Sequence, residues 1–207
     1  MNKMLLIQPG TLFKKIYPGA LWNFSRTEKK IYLTFDDGPV PGLTDWILEV
    51  LEKFNAKATF FCVGANVLKY PDIFDRVKQS GHTVANHTMF HTRGLGTTVS
   101  DYMRETEECR GLVGNNLFRP PYGKIKRSQL RELLARGYRV VLWDVISYDY
   151  EKIEPRECAV KVIRNCRPGS IVLFHDNIKA ERNVKYALPL MLKYFSEKGY
   201  SFSAITP

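Results

Sequence analysis

An alternation limits this chain's fold more than any other feature. Short apolar, β-branched or aromatic runs occur at residues 31–35, 58–63, 83–86, 117–118, 138–143, 171–174 and 202–205, with helical periodicity between them. Most runs are nearly continuous in hydrophobicity, as strands buried on both faces of a parallel sheet must be. Residues 45–54 place Trp46, Ile47, Val50, Leu51 and Phe54 on one helical face, and further helices are predicted over 71–80, 101–113, 128–136, 155–165 and 184–198. Pro71 suits a first helical position, and Gly81, Gly137 and Gly199 stand just past predicted helix ends as C-caps. Seven strands alternating with helices define an α/β fold with a parallel sheet, open or closed into a barrel. At 207 residues, 44% of them hydrophobic and 25% charged, the chain is one ordered domain. Residues 1–27, with the pairs Pro9-Gly10 and Pro18-Gly19, read as an N-terminal segment packed on a main domain over 28–207.

Several function classes fall away. No apolar run approaches the ~20 residues of a membrane span. Met4-Leu5-Leu6-Ile7 is cut by Gln8-Pro9-Gly10, short of the ~7–15 apolar residues of a secretory leader, so the expected location is the cytoplasm. Cys62, Cys109, Cys158 and Cys166 form no C-x-x-C pair. Cys158 and Cys166, on a helical stretch, would lie ~12 Å apart, so reduced thiols are expected. The net charge is +10, but the cations are scattered. The modest clusters are Lys124, Lys126, Arg127 and Arg131, and Lys179, Arg182 and Lys185. Without a basic block or a basic stripe interleaved with aromatics, a solvated surface is expected rather than a nucleic-acid partner. Oligomeric state is not legible.

Chemistry in such folds gathers beyond the C-terminal ends of the strands. There the sequence places Asp36-Asp37-Gly38-Pro39, His87-Thr88-Met89-Phe90-His91, Arg119-Pro120-Pro121-Tyr122-Gly123, Asp144 with Asp149, and His175-Asp176. Each has an ordinary reading: Asp-Asp-Gly-Pro as a turn, His-x-x-x-His as chance, Arg-Pro-Pro-Tyr-Gly as a rigid loop, Asp144 and Asp176 as loop or capping residues. Their coincidence at one end of one sheet favours function. His82, at the opposite end of its strand, reads as structural. Asp36 or Asp37 with His87 and His91 makes a two-histidine, one-carboxylate site with open positions, a catalytic zinc pattern, with cobalt or nickel as alternatives. The second aspartate is then available as general base and His175 as general acid, which suits amide hydrolysis because an amine leaves poorly unless protonated.

These segments resemble the five motifs of the polysaccharide deacetylases, carbohydrate esterase family four, whose members include chitin and peptidoglycan N-acetylglucosamine deacetylases. The resemblance implies a distorted seven-stranded (β/α) barrel over the catalytic domain, 28–207. It also implies that Asp36 is the base, that Asp37, His87 and His91 hold the metal, and that Arg119 orients the base. By the same resemblance the backbone N–H at Tyr122 helps hold the oxyanion, Leu173 lines the acetate pocket, and His175 is the acid paired with Asp149. Pro121 and Tyr150 are the remaining candidate substrate contacts. The fourth motif departs: where the family shows aspartate and tryptophan, this chain has Ile146 and Tyr150, which bears on the groove wall. The implied partner is an N-acetylated saccharide. Three rivals stand beside it: a small non-sugar amide as substrate, a non-haem iron oxygenase built on the same triad of ligands, and a carbohydrate- or nucleic-acid-binding module with a dead site.

Overall fold

A computed structural model describes residues 15–207, so the Met4–Ile7 run and Pro9-Gly10 lie outside the described residues. The strands are β1 (Lys30–Asp36), β2 (Ala58–Cys62), β3 (Thr83–Asn86), β4 (Leu117–Phe118), β5 (Arg139–Val140), β6 (Val145–Ile146), β7 (Ile171–His175) and β8 (Ser201–Phe202). The helices are α1 (Leu43–Lys53), α2 (Gly64–Lys69), α3 (Pro71–Gln79), α4 (Val99–Val113), α5 (Arg127–Ala135), α6 (Pro155–Asn165) and α7 (Glu181–Glu197). Local chemistry explains many of the boundaries. Pro71 and Pro155 open α3 and α6. Thr98 caps α4 by accepting the Asp101 N–H, and Gly114 ends that helix in the left-handed region at φ 74°.

The strands pair in the order β5-β4-β3-β2-β1-β7-β6, all parallel, with β8 beside the start of β1. The result is a curled seven-stranded sheet, a barrel left open between β5 and β6. The predicted run over 138–143 is therefore not one strand. It supplies β5, and after a turn the chain pairs as β6 on the far edge. Hydrophobicity alone could not show this, because both edges are buried.

The seam between those edges is covered by residues 21–24. Leu21 exchanges backbone hydrogen bonds with Val140 (2.8 Å) and Leu142 (2.7 Å), and the Phe24 N–H bonds to the Gly169 carbonyl (2.8 Å). Arg26 fastens the segment by pairing with buried Asp144 at 2.6 Å. Asp144 also accepts the Ile171 N–H.

One core lies between the sheet and its helices, with Phe35, Phe60 and Phe174 stacked at its centre. A second fills the barrel interior with Phe61, Ala85, Leu117, Val141, Ile171 and Ile205. Each fully buried large apolar side chain contributes about 1.5–3 kcal/mol relative to exposure. The polar strand ends above this packing are consequently held on a rigid base. All four cysteines are free. Among the described residues no helix is long and apolar enough to cross a membrane.

Candidate active site

Parallel register brings the site together. Asp36 ends β1 directly beside His175 at the end of β7. Asn86 of β3 pairs with Phe118 of β4, which sets His87 and Arg119 side by side on the next step. The chain then turns sharply. Asp37, Thr88, His91, Tyr122 and Tyr148 all have positive φ (86°, 65°, 56°, 61° and 56°), a region costly for side-chain-bearing residues. Such strain persists only where surrounding contacts enforce it, and four of the five line one cavity, which marks a built site.

The His-x-x-x-His segment is a loop, not a helix. The left-handed turn at His91 folds its ring back, so the two imidazole centroids lie 5.1 Å apart. Thr88 supports the turn by accepting the Thr92 N–H, and the Thr92 hydroxyl donates to Glu105 on α4.

Asp37, His87 and His91 each present a ligand atom within 4.8 Å of the others. His87 Nδ1 lies 2.8 Å from the Arg119 carbonyl, so that nitrogen carries the proton and Nε2 faces the site with its lone pair. Burial holds the His87 pKa below its usual value, which keeps the ring neutral, as a ligand must be. Asp37 Oδ1 is 3.1 Å from His91 Nε2 and 3.6 Å from His87 Nε2. It is buried without a hydrogen-bond partner. Burial alone would raise the Asp37 carboxyl, but His91 and the His175 imidazolium outweigh it and hold the group well below the usual carboxylate range. An orphaned carboxylate oxygen between two imidazole nitrogens fits a divalent cation.

Asp36 and Arg119 form a buried pair at 2.7 Å. The guanidinium also donates to Thr34 Oγ1 (2.8 Å) and to the carbonyls of Val141 and Leu142, and it lies 4.0 Å above the Phe61 ring. With four of its five N–H donors engaged and its face covered, Arg119 fixes where Asp36 points. His175 Nδ1 lies 2.7 Å from Asp149 Oδ1, and the His175 backbone N–H donates to Asp149 Oδ2 at the same distance. Burial disfavours the imidazolium, but Asp149, with lesser help from Asp37 and Asp36, raises the His175 pKa to about 9. Asn183 of α7 holds the carbonyls of Asp149 and Glu151.

These groups open into a cavity of about 990 Å³. Leu173, Ile146, Leu142 and Trp143 make its apolar wall; Tyr150 packs edge-on to His175 at 4.9 Å, and Tyr122 stands over His91 at 4.7 Å. Pro121 is buried in the turn beneath Tyr122 and does not line the cavity. His82 lies at the other end of β3 and accepts the Ala58 N–H; burial drops its pKa to about 4.

Three supporting groups were given no role in the site from sequence. Thr34 bridges Arg119 and the Val172 carbonyl. Asn177 donates to Asp37 Oδ2. Asp176, read as a loop residue, is buried. It accepts the Gly38 N–H (2.9 Å) and the Thr44 hydroxyl (2.8 Å), and burial pushes its pKa up to about 8. It thereby clamps the loop carrying Asp36 and Asp37. Asp176 and Asn177 were marked only by their position after the end of β7, and Thr34, inside β1, by nothing.

Fold and site together define a metal-site α/β barrel with a paired carboxylate and imidazolium. The sequence profile of the polysaccharide deacetylases matches residues 24–141, and the chain belongs to that family. A peptidoglycan-N-acetylglucosamine deacetylase of Bacillus cereus is 34% identical over 214 residues, covering 95% of this chain and 76% of the relative. A chitooligosaccharide deacetylase of Azorhizobium caulinodans is 34% identical over 167 residues, 76% of this chain and 79% of the relative. The crystal structure of the Bc1960 peptidoglycan N-acetylglucosamine deacetylase, bound to 4-naphthalen-1-yl-N-oxidanyl-benzamide, superposes with a TM-score of 0.85. That pair shares 28% identity and covers 95% of each chain. Membership implies a divalent metal, and Asp37, His87 and His91 are the residues able to hold it.

Proposed function

We propose that this protein hydrolyses the acetamide of N-acetylated amino sugars, of chitooligosaccharide or peptidoglycan type, releasing acetate and the free amine. The observation that carries the reading is the placement of two ion pairs, Asp36–Arg119 and Asp149–His175, at the same cavity as the Asp37–His87–His91 cluster. In this reading those three residues hold one divalent ion, zinc by the chemistry of the ligand set, with cobalt or nickel able to serve. The ion supplies Lewis acidity, acidifying water and polarising the amide carbonyl.

The protein's own groups do the rest. Asp36, oriented by Arg119, accepts a proton from the attacking water. His175, kept protonated by Asp149, donates one to the departing amine nitrogen. The Tyr122 backbone N–H contributes to holding the oxyanion. Leu173 and the neighbouring apolar wall receive the acetyl methyl, while Tyr150 and Tyr122 offer faces for a sugar ring; Pro121 acts from beneath by stiffening the Tyr122 turn. Arg119's engaged donors make the base rigid, which favours hydrolysis over an oxygenase, whose three-ligand site has no use for a proton-transfer pair. A binding module would have no use for it either.

The test is acetate release by metal-loaded protein from N-acetylglucosamine oligomers, peptidoglycan fragments and small acetamides. Release from the saccharides supports the reading. Release from small amides alone moves the substrate to a non-sugar amide, and no release from any overturns the hydrolase.

A further inference from the structure

The fold brings two of the scattered cations to the wall of one cavity. Lys124, on the loop after β4, and Lys179, on the loop after β7, both line the cavity and are exposed. Neither makes an ion pair among the described residues, whereas Lys161 and Lys185 pair with Glu157 and Glu181. Glu181, the acid nearest Lys179 along the chain, is thus already engaged by Lys185 at 2.6 Å. Among the described residues, the only carboxylates lining the cavity are Asp36 and Asp37. Asp36 is answered by Arg119, and Asp37 faces His87, His91 and Asn177. Among the described residues, no lining group is therefore left to balance these two exposed ammonium groups.

Both lysines are rooted in fixed backbone. Gly123 packs so closely on Trp143 that an added Cβ would fall 2.5 Å from the ring, and Ile125 on the other side of Lys124 is buried. Ala180, which follows Lys179, is buried, and its N–H bonds to the Asn177 carbonyl (3.0 Å) and Oδ1 (3.1 Å). The wall around them is carried by Tyr122, Trp143, Tyr148, Tyr150 and Ile178. Such a wall supplies no counter-ion, and a low-dielectric cleft lined by one sign of charge focuses its field outward.

The geometry points to an anion-reading subsite: Lys124 and Lys179 select an N-acetylated saccharide bearing an acidic substituent, a carboxylate or a sulfate, on the sugar at the cavity mouth. This rests on the deacetylase reading above and divides its two substrate types, since a neutral chitooligosaccharide enters without the attraction. An ammonium is a compact, hydrated charge with three donors, suited to either oxyanion. Exposed charges act modestly one by one and mainly through approach and selectivity.

The test reads binding to the Asp36→Asn protein, so that turnover does not intervene. Three oligosaccharides of equal length serve as probes: a neutral N-acetylglucosamine oligomer, one carrying carboxylates on alternate sugars, and a sulfated one. Calorimetry should show an acidic oligomer binding about tenfold more tightly at low salt, equivalent to ~1.4 kcal/mol. That advantage should shrink as salt rises and vanish in the Lys124→Gln/Lys179→Gln variant. The carboxylate and sulfate arms identify which oxyanion is read. Equal binding of neutral and acidic probes, or an acidic preference that survives the double substitution, overturns the subsite. An acidic preference in the Asp36→Asn protein, beside an unsubstituted metal-loaded protein that releases no acetate, would sink the deacetylase reading and leave the subsite standing.

Discussion

Asn177 holds one oxygen of Asp37 and leaves the other turned toward His87 and His91. The same amide accepts the Ala180 N–H through its oxygen. The two bonds together define which way the amide faces, because a flip would set oxygen against carboxylate and nitrogen against a donor. Asn177 therefore orients the Asp37 carboxylate from outside the ligand set. Asn177→Ala is expected to weaken divalent-metal affinity by about 10–100-fold, the usual scale for a lost partner of a ligand. Metal titration of the purified protein reads this directly, and an unchanged affinity would remove Asn177 from the site.

Asp36 and Asp37 are neighbours in sequence with separate surroundings. Asp36→Asn should keep metal and fold, since an amide oxygen can still accept from Arg119, yet lose turnover by ~10²-fold or more. Asp37→Asn should lose metal. Elemental analysis beside acetate release distinguishes the two, and the reverse pattern would exchange their roles.

In the proposed reaction His175 sets the alkaline side. Its folded pKa, about 9, lies above the ordinary 6.5. It therefore adds stability that is fully present below about 6.5 and is lost as pH rises through about 9. Activity that needs the imidazolium should fall over the same upper range. Asp149→Asn removes the largest of the influences that raise that pKa, so the alkaline limb of kcat/KM should move down by about one unit or more. A limb that stays in place would detach the pair from the reaction.

Gly38 is closed to side chains. A Cβ there would fall 1.8 Å from Asp176 Oδ2, itself held by Thr44. Gly38→Ala must displace either the Asp36–Asp37 loop or the buried carboxyl, at a cost of about 1–3 kcal/mol. Chemical denaturation and metal titration should both register the change, and a variant matching the parent in both would show the clamp to be slack.

The candidate catalytic and metal-holding groups were legible because they are rare residue types set at strand ends: three of the four histidines and the Asp-Asp pair all fall there. Their supports were not. Asn177 reaches Asp37 across 140 residues of chain, and Asp176 reaches Gly38 across 138. Neither asparagine nor aspartate in a loop announces such a partner. α2 escaped notice because six residues are too few for a period to show. The split of 138–143 into one edge strand and a turn toward the other was hidden for a different reason. Val140, Val141, Leu142 and Val145 are buried alike, so burial carried no information about which strand each segment joins.

The seam between β5 and β6 bears on how such a cleft can be remodelled. Trp22 reaches the cavity wall from a segment secured by a few backbone bonds and the Arg26–Asp144 pair, not by a continuous strand ladder. Changes at residues 21–24 can thus resize one side of the cleft while β1, β3, β4 and β7 keep the reacting groups in register. The chemistry and the fit to substrate are carried by separately adjustable parts. Grafting a different segment across the seam is the least disruptive way to retune which saccharide enters.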